Sequence, residues 1–206
     1  MDERYLVPLK FGQDEFTEKR SRFIGRVWRV SGEEEAMTHL SDIRALERDA
    51  RHNVWAYMLH SGAVRCSDDG EPQGTGGVPV LDTFRKRGIT DFCCIVTRYF
   101  GGILLGTGGL VRAYSKAASM ALDAAGTAQM RPLDRLCIDC SYGQYDKILK
   151  ELLSAGCEEP EVQWLDKVTL ATRIPTEKSA ELILRISDLT SGAVIPQITG
   201  KEFDAF

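Results

Sequence analysis

No stretch of this 206-residue chain stays apolar for the roughly 18 residues that a membrane-spanning helix requires. The first twenty residues are charged throughout and lack the apolar core of a secretory leader. These two absences predict a cytoplasmic protein with no membrane partner. Histidine is scarce. His39, His52 and His60 are the only three, and all precede the C-x-x-C pair Cys137 and Cys140 by more than half the remaining chain. A structural zinc site needs four ligands, and residues 136–140 read as a strand, on which positions three apart face opposite ways. We therefore expect no metal and no cofactor, and we expect the six cysteines to be buried thiols rather than bridges. Lysine-rich tails are missing as well. The net charge of −4 is uneven: residues 1–130 hold 17 basic and 17 acidic side chains, and residues 131–206 hold 9 and 13. Thirteen of the first 17 basic residues are arginine, the side chain suited to bidentate contact with phosphate or carboxylate.

Enough apolar residues are present, 43% of the chain, for two cores. Residues 22–29 alternate as a strand, and residues 33–50 carry Met37, Leu40, Ile43, Leu46 and Ala50 at helical spacing. A hairpin follows over residues 53–60 and 63–66, then a loop over 68–77 and a short helix over 78–87 opened by Pro79. Residues 91–97 read as a buried strand, and a glycine loop leads from them into a helix over 108–125. A linker is expected at residues 126–132. Beyond it the order is strand, helix, strand, strand, helix, strand, over 135–141, 143–155, 158–164, 167–174, 176–190 and 193–199. That βαββαβ order is the ferredoxin-like arrangement. The domains are thus expected at residues 1–130 and 131–206, in an α+β chain.

Three stretches could carry chemistry. Arg98-Tyr99-Phe100-Gly101-Gly102 runs on to Leu105-Gly106-Thr107-Gly108-Gly109, between a strand and a helix. Glycines ahead of a helix start can offer N–H groups to an anion, or can simply permit close packing. The lysine of a nucleotide-hydrolysing loop is absent. On the helix, Arg112, Ser115, Lys116 and Ser119 share a polar face, opposite Leu110, Tyr114 and Ala117. The second stretch holds Asp68, Asp69 and Glu71 ahead of Gly74, Thr75 and Gly76. Its carboxylates could hold a cation beside a phosphate, cap the turn or pair with an arginine. In the third, alternation sets His52 with Val54 and Ala56, and Tyr57 with Arg51, Asn53 and Trp55. The latter face could stack on bases or peptide, or form part of a sheet surface.

Together these stretches resemble the YigZ/IMPACT family in its bacterial two-domain type. The resemblance runs through Ser21-Arg22-Phe23-Ile24, Ala50-Arg51-His52-Asn53-Val54-Trp55-Ala56-Tyr57, Asp68-Asp69-Gly70-Glu71-Pro72 and Gly74-Thr75-Gly76-Gly77-Val78-Pro79. It is most specific in Val96-Thr97-Arg98-Tyr99-Phe100-Gly101-Gly102 and Leu105-Gly106-Thr107-Gly108-Gly109-Leu110-Val111-Arg112-Ala113-Tyr114. It implies a first domain with the ribosomal-protein domain 2-like fold, as in domain IV of elongation factor G. It implies a ferredoxin-like second domain, as in domain V of that factor. It also implies a link to translation, with RNA, the ribosome or a translation factor as partner. In that reading Arg22, Arg98, Arg112 and Lys116 meet phosphates or an acidic partner. Gly74, Thr75, Gly76, Gly101, Gly102, Gly106 and Thr107 supply backbone donors, and His52, Tyr57, Asp68, Asp69 and Glu71 complete the binding surface. The rival reading is an enzyme acting on a phosphorylated small molecule or nucleotide, with His52, Asp68, Asp69 and Glu71 as acid–base or metal residues.

Overall fold

Strict alternation along three apolar strands decides the layers of the first unit. In the computed structural model, which describes residues 4–206, this unit comprises Arg4–Gln129. Its elements are β1 (Tyr5–Pro8), β2 (Gly12–Glu18), β3 (Ser21–Arg29), α1 (Glu33–Leu46), β4 (His52–Met58), β5 (Val64–Ser67), α2 (Gly77–Lys86), β6 (Phe92–Tyr99) and α3 (Thr107–Ala125). The sheet runs β2-β3-β6-β4-β5, antiparallel at every step. Phe23, Val27, Val54, Ala56, Cys94 and Val96 point to one face, where α2 and α3 cover them with Val80, Phe84, Leu110, Tyr114 and Ala117. Trp55, Tyr57, Cys93 and Ile95 point to the other, under Ala36, Leu40 and Ile43 of α1. Helix α3 lies so close to β3 that a Cβ on Gly25 would stand 2.3 Å from the Ala117 carbonyl oxygen.

Helix α1 stops at Leu46, four residues short of the expected end. Glu47 leaves the helix to accept hydrogen bonds from Arg26 and Tyr99. Arg26 also donates to Gln13 at 2.7 Å and to Thr97 at 3.1 Å, and Thr97 donates to Asn53 at 2.8 Å. This buried polar chain ties α1's end to β2, β3, β4 and β6.

The second unit comprises Met130–Phe206. The expected linker at residues 126–132 is instead the start of a long strand, β7 (Thr127–Cys140). After it come α4 (Tyr145–Ala155), β8 (Glu161–Trp164), β9 (Val168–Pro175), α5 (Thr176–Leu189) and β10 (Gln197–Ala205). The strands lie in the order β10-β7-β9-β8. Leu136, Ile138, Leu170 and Ile174 of the sheet bury against Ile148, Leu152, Leu182 and Ile186 of the helices. The opposite face is charged, with Arg173 bonded to Glu158, Glu202 and Asp204. Cys140 is buried and Cys137 half-buried, on opposite faces of β7, and all six cysteines are free thiols. Among the described residues no helix is long and apolar enough to cross a membrane.

Candidate functional site

The two glycine-rich loops of the first unit adopt contrasting structures. In the loop from β5 to α2, the Asp68 carboxylate turns inward. It accepts backbone N–H bonds from Gly74 at 2.7 Å, Gly76 at 2.9 Å and Gly77 at 2.8 Å. Burial opposes ionisation there, but the three donors outweigh it and hold the Asp68 carboxyl below its usual range. Thr75 donates its own N–H to the Pro72 carbonyl at 3.1 Å and its hydroxyl to the same oxygen at 2.6 Å. All four amides of residues 74–77 are therefore engaged inside the loop. Gly74, Thr75 and Gly76 do not offer the free donors that the sequence suggested, because the chain supplies its own anion. Asp69, at φ +46°, accepts from Arg44 at 2.6 Å and from the Asn53 N–H at 2.7 Å. The Asp68 and Asp69 carboxylates thus point to different partners and form no joint cation site. Among the described residues no group of three or more metal-ligating side chains comes together.

Glu71, from the same loop, does reach a shared centre. Its Oε1 accepts from Arg98 Nη1 at 2.6 Å and from the Tyr114 hydroxyl at 2.7 Å. Arg98 lies at the end of β6, Tyr114 in the middle of α3, and His52 opposite Arg98 in the β4–β6 register. Burial first, then the Glu71 charge, push the Tyr114 hydroxyl far above its ordinary range, so it remains a proton donor to that carboxylate. Arg98 is 5% exposed, lies between the Phe23 and Phe100 rings, and donates more weakly to Ser21 at 3.4 Å. It is a buried, neutralised cation, not the open phosphate contact its place at a strand end suggested. His52 Nδ1 lies 2.8 Å from the Asp69 carbonyl oxygen. A carbonyl only accepts, so Nδ1 carries a proton. Its Nε2 stands 3.9 Å from Glu71.

His52, Glu71 and Arg98 form the polar floor of a cleft of about 430 Å³. Its walls are apolar, with Pro72, Phe100, Leu104, Leu105 and Leu110, and its end is the start of α3 at Gly106 and Thr107. The N-cap Gly106 has φ +74° and no side chain caps the helix. The second glycine loop thus leaves a helix start open, unlike the first. Gly101 N–H donates to Ser21 at 3.2 Å, and a Cβ there would fall 2.0 Å from the Arg20 carbonyl carbon. Gly102 has φ +83° and faces open space.

Beside the cleft, across Leu105, runs a groove of about 250 Å³ with Phe16, Lys19, Arg112 and Lys116 in its walls. The Lys116 ammonium sits 4.2 Å above the Phe16 ring. Arg112 and Lys116 are exposed, as their helical face implied. Two expected residues fall elsewhere. Arg22 points to the opposite sheet face from Arg98 and pairs with Glu15 at 2.5 Å. Tyr57 is fully buried under α1 with its hydroxyl on Glu33, so its ring is closed to any partner. Sequence reasoning did not single out Phe16, Lys19, Phe100 or the hydroxyl of Tyr114. Only the last left a usable signal, since a tyrosine on a buried helix face needs a partner for its hydroxyl.

The Impact N-terminal domain matches residues 19–122, which contain every element of the cleft and groove except β2, the strand of Phe16, and a domain of unknown function (DUF1949) matches residues 138–193. The IMPACT family member YvyE of Bacillus subtilis is 34% identical over 190 residues, covering 91% of this chain and 88% of its own. The chain belongs to the IMPACT family. Among its IMPACT relatives, YigZ of Escherichia coli is 35% identical over 182 residues, covering 85% of this chain and 88% of its own. A crystal structure described as a hypothetical protein superposes with a TM-score of 0.61 at 31% identity, covering 97% of this chain and 98% of that one.

Proposed function

We propose that this IMPACT-family chain is a translation-linked binding protein, acting in the cytoplasm, whose first unit contacts RNA of the translation machinery. The carrying observation is the run of exposed cations beside the cleft. Lys19 and Arg20 form the β2–β3 turn, Arg112 and Lys116 stand on the outer face of α3, and none has a carboxylate partner among the described residues. Lys19, Arg112 and Lys116 share this groove with a single carboxylate, Glu18, an arrangement that suits the phosphates of a single strand. The family resemblance supports the link to translation. The chain has no overall positive charge, so affinity should be modest and strongly salt-dependent.

The finer fold assignment belongs to the same reading. The βαββαβ order and the strand order β10-β7-β9-β8 support a ferredoxin-like second unit. The layered first unit is assigned the ribosomal-protein domain 2-like fold on the resemblance. The enzyme reading is weakened because Asp68 and Asp69 are engaged away from His52 and Glu71. The deciding experiment is crosslinking in living cells followed by identification of bound RNA and protein. Recovery of ribosomal or transfer RNA supports the reading. Recovery of a translation factor alone, with no RNA, transfers the groove to an acidic protein partner.

A further inference from the structure

We infer that the cleft holds one unstacked nucleotide of the bound strand, with its phosphate at the start of α3 and its base edge on the His52–Glu71–Arg98 floor. The inference rests on the RNA reading above and adds a site to it. Four observations carry it. The cleft's volume of about 430 Å³ falls in the range of small-molecule sites, about 300–1,000 Å³. That is room for a nucleotide. Its walls are apolar and include the Phe100 ring, 39% exposed, which can take the face of a planar base.

The floor, second, has unused accepting capacity, since Arg98 spends Nη1 on Glu71 and Nη2 on Ser21 and its Nε is shut off from the cleft. His52 Nε2 stands 3.9 Å from Glu71, too far for a hydrogen bond. Glu71 uses Oε1 for Arg98 and Tyr114, and its Oε2 receives no bond among the described residues. A free carboxylate oxygen accepts from an exocyclic amine, which adenine, cytosine and guanine carry and uracil lacks.

Third, α3 is 19 residues long, begins without a side-chain cap among the described residues, and brings Gly106 and Thr107 to the cleft end, where a helix start can seat an anion. Fourth, Leu105 borders both cavities, so a strand leaving the cleft passes directly onto Arg112 and Lys116.

The test is fluorescence anisotropy of the full chain with labelled eight-nucleotide RNAs. Oligoadenylate should bind about tenfold more tightly than oligouridylate, the worth of one well-made base contact. A Phe100→Ala variant should lose most of that difference. Thr107→Glu puts a carboxylate on the anion seat while stabilising the helix start, so it should keep or raise Tm and still weaken oligoadenylate. If Lys116→Ala weakens both RNAs but neither base identity, Phe100→Ala nor Thr107→Glu matters, the cleft holds no nucleotide and the RNA reading stands. If neither RNA binds the parent at low salt, the reading and the inference fall together.

Discussion

Two loops in the first unit share a composition rich in glycine and lead directly into a helix, yet they are built to different ends. In residues 68–77 the chain's own Asp68 fills the anion position and takes the N–H groups of Gly74, Gly76 and Gly77. In residues 100–107 no side chain among the described residues fills the helix start. Glycine before a helix therefore marks a seat for an anion without saying whose anion it is. The loops are also joined, because Glu71 of the first holds Arg98 at the root of the second. The closed loop thus serves as scaffold for the open one.

Breaking that joint should have the largest effect on stability. Arg98→Met leaves Glu71 buried at 3% side-chain exposure without its cation. The expected cost is about 3–5 kcal/mol, read from the midpoint of guanidinium unfolding. Adding Glu71→Leu should restore much of the loss, because the unpaired charge then disappears. No recovery in the double variant would mean that packing around Phe23 and Phe100, rather than charge, makes Arg98 important.

Emptying the closed loop comes next. Asp68→Ala strands three N–H donors and should cost about 2–3 kcal/mol, the scale of hydrogen bonds to a charged group. Formate should recover part of the lost Tm in this variant, relative to chloride at equal ionic strength, and should leave the parent unchanged. The pH dependence has a defined sign. The Asp68 carboxyl is held below its ordinary value in the folded chain. Its contribution is therefore fully present above the unfolded value of about 3.9, and is lost as pH falls through the folded value. The parent should lose more stability than Asp68→Ala between pH 5 and acid conditions near pH 2, so the two curves converge.

A smaller effect is expected at the open loop's own turn. Gly102 has φ +83° with nothing near its missing Cβ. Gly102→Val should therefore cost about 1–3 kcal/mol through backbone strain alone. Gly102→Asn should cost less, since asparagine tolerates this region better. Equal costs for both would point to an unseen contact rather than to φ.

Much of this was readable from sequence, and the failures share one cause. The strands at residues 22–29 and 91–97, the βαββαβ order of the second half and the buried face of α3 all follow from local periodicity. So did the grouping of Tyr57 with Asn53 and Trp55. Which sheet face α1 would cover did not follow, because it depends on packing between elements far apart in the chain, and Tyr57 went under the helix. Arg98 looked open because it ends a strand before glycines. Its burial depends on Glu71, 27 residues earlier, and on Tyr114 in a separate helix. The donors of residues 74–77 were legible as a set, and capping the turn was one of three readings of the carboxylates, but nothing local chose it for Asp68 over a cation site or an arginine pair. The strand at residues 127–132 was hidden by Gly126 and Pro132, which mark a linker by composition. Pro132 sits in β7 opposite Phe203 of β10.

The smallest effect on stability should accompany one of the clearest effects on binding. Lys116 is exposed, has no carboxylate partner among the described residues, and touches the protein through the Phe16 ring. Lys116→Ala should therefore change stability by no more than about 0.5 kcal/mol. A cation–π contact at such a site is worth little in water. Its charge lies in the groove that continues from the open loop, so the same change should weaken RNA binding for every sequence alike. It should also reduce the slope of log K against log salt by about one, the signature of one lost phosphate contact. Arg22→Ala is the matched control, being an exposed cation on the opposite sheet face, already paired with Glu15. If Arg22→Ala and Lys116→Ala reduce affinity and slope equally, binding follows total charge rather than the α3 face. A loss confined to Lys116→Ala ties the strand to the side of the sheet where the helix start is left open.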